Sequence, residues 1–105
     1  MPYNSLTQIR AANARIGNNF FSKETMAFFD SRICEGVYGG VYFITSERFE
    51  NSKGRGPRRY TIRIANEDGT ISMVGSFLEH NTEQDAICVI NSLLSDAEDA
   101  AADLA

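Results

Sequence analysis

Tyr60-Thr61-Ile62-Arg63-Ile64-Ala65, then Glu67-Asp68-Gly69, then Ile71-Ser72-Met73-Val74-Gly75-Ser76-Phe77 is the stretch from which the fold is read. Tyr60, Ile62 and Ile64 alternate with Thr61, Arg63 and Ala65, the period-2 pattern of a strand with one buried and one wet face. Glu67-Asp68-Gly69 is a turn signal, and Ile71 to Phe77 is the returning strand of a hairpin. Upstream, Val41-Tyr42-Phe43-Ile44-Thr45 is dense in β-branched and aromatic residues and reads as a further strand. The Gly/Pro/Lys/Arg-rich stretch from Asn51 to Pro57 separates it from the hairpin and reads as a mobile loop.

Helices flank these strands. Ser5 with Gln8 has the spacing of a capping box, and Leu6, Ile9, Ala12 and Ile16 recur at helical spacing before Gly17, which suits a left-handed C-terminal position. Ser22 starts a second, short helix expected to end near Arg32. Phe20, Phe21, Phe28 and Phe29 are too many aromatics for two helical turns and are expected in a core under the sheet. Thr82 with Asp85 starts a third helix whose apolar stripe is Ala86, Ile87, Ile90, Leu93, Leu94, Ala97 and Ala101. The predicted class is α+β, in the order α-α-β-β-β-α. It is a three-stranded antiparallel meander with the helices packed on one face, and Phe43, Ile62, Ile64, Ile90 and Leu94 meet in its core. Residues 1–105 form a single domain, with 98–105 an Ala/Asp-rich tail open to fraying.

Charge is segregated along the chain. Arg48 to Arg63 carries six basic residues (Arg48, Lys53, Arg55, Arg58, Arg59 and Arg63) against Glu50 alone. Ile64 to Ala105 carries nine carboxylates and no lysine or arginine, and the whole chain has a net charge of −4. A segregated field steers encounters with charged partners while saying little about fold. At about 100° per residue, Asp85, Asp96, Asp99 and Asp103 fall on one narrow stripe opposite the apolar face of the last helix. Acids near a helix C-terminus oppose the macrodipole, and acids three or four residues apart repel one another. A compensating cation is therefore expected, from the basic stretch or from a partner. Conversely, the cations of the basic stretch, interspersed with Gly54, Gly56 and Pro57, suit phosphate contacts, with Tyr42 and Tyr60 as stacking surfaces.

Catalysis and metal binding find little support. His80 is the one histidine and has no second imidazole with which to share a metal. Cys34 and Cys88 form no Cys-x-x-Cys pair and read as reduced thiols, which leaves Cys34 with His80 as the one nucleophilic combination open. No cofactor is implied. The N-terminus has neither a basic nor an apolar targeting region, and no apolar run approaches a membrane span, so a cytoplasmic protein is expected.

The runs Asn19-Phe20-Phe21-Ser22-Lys23-Glu24-Thr25-Met26, Phe28 to Arg32, Val37 to Gly40 and Tyr42 to Glu47 resemble a small uncharacterised family carried by phages and plasmids. Arg58 to Arg63 and Val74 to Phe77 complete the pattern. The resemblance implies residence on a mobile element and brings no established activity. The strand–turn–strand–helix succession is also similar to the three-stranded DNA-binding domains of plant transcription factors and phage integrases, which implies DNA reading by the sheet face. Together these features favour a non-enzymatic, anti-CRISPR-like inhibitor that binds a host defence complex, a Cas effector or a restriction enzyme. The alternative is a nucleic-acid-binding accessory protein that uses residues 48–63.

Overall fold

The computed structural model describes residues 3–48, 50, 51 and 54–104, and the side chains of all of these except 50, 51, 55 and 99–104. Helices α1 (Leu6–Arg15) and α2 (Lys23–Phe28) precede strands β1 (Arg32–Ile33), β2 (Tyr42–Glu47), β3 (Glu50–Asn51), β4 (Gly54–Arg55), β5 (Arg59–Ala65) and β6 (Ile71–Val74). Helix α3 (Glu83–Leu104) follows. The main sheet has four strands in the order β1-β2-β5-β6, with every neighbouring pair antiparallel. The α+β class and the β2-β5-β6 meander agree with the sequence reading, and β1 is an added edge strand. Strands β3 and β4 form a separate two-stranded ribbon that begins at Glu50, one residue before the stretch read as a mobile loop, and continues within it.

The helix starts follow local chemistry. Ser5 Oγ accepts from Gln8 N–H, Ser22 Oγ from Thr25 N–H and Thr82 Oγ1 from Asp85 N–H, each satisfying an orphan donor of a first turn. After α1, Gly17 takes φ +76, and Asn18 N–H reaches back to the Asn13 carbonyl. Helix α2 stops at Phe28, earlier than expected near Arg32. Asp30 adopts a left-handed φ of 49°, and Ser31 N–H closes on Met26 O at 2.7 Å, which turns the chain into β1. Similarly, the last strand ends at Val74 rather than Phe77, because Gly75 (φ 78) and Leu78 (φ 60) turn the backbone out of the extended region.

The main departure from expectation is that both faces of the sheet are covered. The register pairs Tyr42 with Ile64, Ile44 with Ile62, and Ile62 with Val74, so these side chains share one face. Ile44 and Ile62 there pack with Ala86 and Ile90 of α3, and Tyr42, Val74, Ile87 and Leu94 close around them. Phe43 and Ala65 belong to the opposite face, where they form a second core with Ile9 of α1, flanked by Phe20, Phe21, Ile33 and Ile71. Phe43 is thus separated from Ile90 and Leu94 by the sheet, and helices packed on one face is corrected to helices on both. The two clusters hold the seven most deeply buried apolar side chains, at 0–2% exposure.

The β5–β6 turn anchors α1. Asn13, 1% exposed, donates from Nδ2 to the Gly69 carbonyl at 2.9 Å. Gly69 has φ 93, and a Cβ there would lie 2.6 Å from the Ala12 carbonyl oxygen. A glycine is required by both conformation and space. On the other side, among the described side chains of α3, Ala86 and Ile90 are buried against the sheet and Leu94 is half-buried, whereas Ala97 is exposed. The stripe read as continuing through Ala97 therefore leaves the core at Leu94, and Ala101 lies outside the described side chains.

Candidate functional site

Among the described residues, the arginines of the basic stretch are divided between different surroundings. Arg58, 16% exposed, donates from Nη2 to Asp30 Oδ2 at 2.6 Å and from Nη1 to the Asp30 and Ser46 carbonyls at 3.0 Å. It also reaches Ser46 Oγ at 2.9 Å, so it fastens the left-handed Asp30 turn to the end of β2. Arg59 donates from Nη2 to the Glu79 carbonyl at 3.1 Å. The Nε atoms of Arg48 and Arg59 are enclosed without a hydrogen-bond partner among the described residues. Lys53 lies outside the described residues, as does the side chain of Arg55. Arg63, read as a wet-face residue, is inside.

Arg63 is the centre of a buried polar group between β2 and β5. Thr45 and Thr61 are register partners on the α1 face of the sheet, and Arg63 and Glu47 lie diagonally across them. Arg63 donates from Nε to Thr45 Oγ1 at 3.1 Å, and its Nη2 stands 3.6 Å from Glu47 Oε2. Glu47, 1% exposed, accepts from Thr61 Oγ1 at 3.0 Å through its other oxygen. Thr61 Oγ1 in turn accepts from Leu78 N–H at 2.9 Å, which holds that left-handed residue in place. The guanidinium lies over Phe20 at 5.3 Å and Phe77 at 5.7 Å from the ring centroids. Burial lowers the arginine's pKa from its ordinary value, with Glu47 acting in the opposite direction.

This group forms part of the wall of a cavity of about 670 Å³ between α2 and the sheet. The apolar lining is Phe20, Met26, Phe28, Phe29, Met73 and Phe77, and Glu24, Thr25 and Ser31 complete it with Glu47 and Arg63. Phe28 is 78% exposed, so only part of the expected Phe20–Phe29 core is buried: Phe20 and Phe21 pack on Phe43, and Phe29 packs on Phe77 at 5.1 Å. Sequence reasoning missed this site because alternation assigned Thr61 and Arg63 to solvent. The available signal was the surplus of phenylalanines on a chain segment too short to bury them on itself.

The acidic stripe is placed on α3, with Asp85 and Asp96 exposed and the side chains of Asp99 and Asp103 outside the described set. Asp85 lies in the first turn, where a carboxylate is favoured by the helix dipole, so its position has a local explanation. The last turn has no basic residue, and Asp85, Asp96 and Glu98 have no cationic partner among the described residues.

No hydrogen bond joins Cys34 to His80 among the described residues. Burial raises the Cys34 thiol to about 11, with Glu83 and Glu47 adding to the shift. His80 Nε2 instead stands 3.2 Å from Glu79 Oε2, and His80 pairs through its backbone with Tyr60. Among the described residues no group of three or more His, Cys, Asp or Glu side chains is placed to hold a metal ion. No helix there is long and apolar enough to cross a membrane.

Comparison with known proteins gives a family without an assigned activity. No curated protein and no solved structure matches the chain. A family model matches residues 5–91, which take in both cores, the Arg63–Glu47 group and the cavity, and the chain belongs to that family of unknown function (DUF7447).

Proposed function

We propose that this is a non-enzymatic protein of a phage or plasmid that binds and inhibits a host nucleic-acid-handling defence complex, a Cas effector or a restriction enzyme. In this reading the outer face of α3 presents its carboxylates to the basic surface on which the target carries nucleic acid, acting by electrostatic complementarity. The supporting observation is the three-dimensional distribution of charge. Arg58 and Arg63 are enclosed and engaged by the chain's own oxygens, while Asp85, Asp96 and Glu98 stand exposed on α3 with no cationic partner among the described residues. In this reading a partner supplies the compensating cations. The protein would act in the cytoplasm of the infected or plasmid-bearing cell, where such complexes work.

The test is a nuclease assay. Purified Cas effectors and restriction enzymes are incubated with the protein, and cleavage of duplex DNA is followed alongside direct binding. Inhibition of a target is expected, with association slowed by added salt, because exposed charges act mainly on encounter rate. Asp85, Asp96, Asp99 and Asp103 changed together to Asn should weaken the complex without loss of fold. Undiminished inhibition by that variant would remove α3 from the interface. Tight binding to free DNA or RNA at 0.15 M salt, lost on changing Arg48, Lys53, Arg55 and Arg59 to Ala, would instead establish the nucleic-acid-binding alternative.

A further inference from the structure

Four large apolar side chains stand out as exposed among the described residues, and two of them, Phe28 at 78% and Met73 at 43%, line the same cavity. The cavity volume, about 670 Å³, falls in the range of roughly 300–1,000 Å³ typical of small-molecule sites, which are mostly apolar with a few fixed polar groups. Here the fixed polar group is Arg63. Its Nε and Nη2 atoms are directed to Thr45 and Glu47, its faces lie against Phe20 and Phe77, and Nη1 has no hydrogen-bond partner among the described residues. A guanidinium held on three sides keeps one donor edge pre-oriented.

We infer that this cavity binds an uncharged, flat, mostly apolar small molecule carrying one carbonyl-type oxygen, which accepts a hydrogen bond from Arg63 Nη1. Charge selects this class. Among the described residues Arg63 is the one cation in the lining, Glu47 already balances it at 3.6 Å, and Glu24 adds a further carboxylate. An anionic ligand would have to share one guanidinium with Glu47, beside Glu24. A cationic ligand would stand beside Arg63, which already occupies the Phe20 and Phe77 rings. A neutral molecule avoids both costs, buries against the phenylalanine and methionine side chains, and uses the remaining donor. The inference stands independently of the role proposed for α3.

The test uses the neutral naphthyl ketone fluorophore prodan, whose emission moves to the blue in apolar surroundings, with competitors of matched skeleton. In the wild-type protein a blue shift is expected, with 2-acetylnaphthalene competing better than naphthalene and better than either 2-naphthoate or a naphthyl trimethylammonium ion. Met73→Trp, which fills the cavity, should weaken prodan binding at least about tenfold, and Thr25→Trp serves if the first variant fails to fold. Replacing the buried pair together (Glu47→Leu with Arg63→Met) should weaken the ketone by at least about tenfold, the lower end of the worth of a hydrogen bond from a charged donor, and leave naphthalene unchanged. Stronger competition by 2-naphthoate or by the ammonium ion, or equal competition by naphthalene and its ketone, would overturn the inference. So would self-association in sedimentation that is abolished by Met73→Trp, since the cavity would then be an interface between copies. The wild-type competition order requires no variant to fold.

Discussion

Removal of Glu47 alone should destabilise the protein more than removal of Glu47 and Arg63 together. Glu47 is 1% exposed, and its two oxygens serve Arg63 at 3.6 Å and the Thr61 hydroxyl at 3.0 Å. In Glu47→Leu the guanidinium, 15% exposed, keeps Thr45 and two aromatic faces but loses its counter-charge. Two unit charges 3.6 Å apart attract by about 4–5 kcal/mol at an effective dielectric of about 20. Breaking a buried pair from one side typically costs about 3–5 kcal/mol, and the Thr61 hydroxyl left without an acceptor adds about 1 kcal/mol. Against a total stability of about 5–15 kcal/mol, this is a large fraction. In the double variant, Glu47→Leu with Arg63→Met, no uncompensated charge is buried, and a well-packed apolar replacement is often neutral or stabilising. The assay is urea unfolding followed by circular dichroism. At a slope near 1.5 kcal/mol per molar, Glu47→Leu should lower the midpoint by about 3–4 M, and the double variant should recover most of that loss. Additive costs, with the double variant as unstable as the sum of the singles, would refute the coupling. A loss below about 1 kcal/mol in Glu47→Leu would show that the carboxylate is not enclosed.

Three further outcomes are expected. Ile90→Ala should cost about 2–5 kcal/mol in the same assay, because Ile90 is fully buried between α3 and the sheet. Gly69→Ala should cost about 2–3 kcal/mol, since φ 93 disfavours a side chain and the new Cβ would meet the Ala12 carbonyl; a neutral result would detach α1 from the turn. In timed alkylation read by mass spectrometry, the exposed Cys88 should be modified well before Cys34, whose rate should climb only as pH approaches about 11. Because the folded state holds the Cys34 proton above the ordinary thiol value, stability should fall as pH rises from about 9 toward 11.

Local signals were legible wherever one residue acts on its own neighbours. Ser5, Ser22 and Thr82 mark three helix starts because a side-chain oxygen satisfies a donor three residues on, whatever the rest of the chain does. The alternation from Tyr60 to Ala65 and the turn at Gly69 set the β5–β6 hairpin for the same reason. The acidic stripe of α3 is likewise a consequence of helical period and composition alone.

Tertiary structure decided what lies behind each face. Period-2 alternation says which side chains share a side of a strand, but it assigns solvent to the polar set by default, and Thr45, Glu47, Thr61 and Arg63 defeat that default. They are interior because α1, Phe20 and Phe77 cover the second face, and because the Thr45 and Thr61 hydroxyls, the Glu47 carboxylate and Arg63 Nε find partners on another strand or a later segment of the chain. Arg58 is removed from the basic stretch in the same way, by Asp30, which lies 28 residues earlier. The sequence by itself determined the elements, the hairpin and the polarity of charge along the chain. Folding decided which charges remain available to a partner, since a charge leaves the surface only when non-local packing supplies both its cover and its counter-charge.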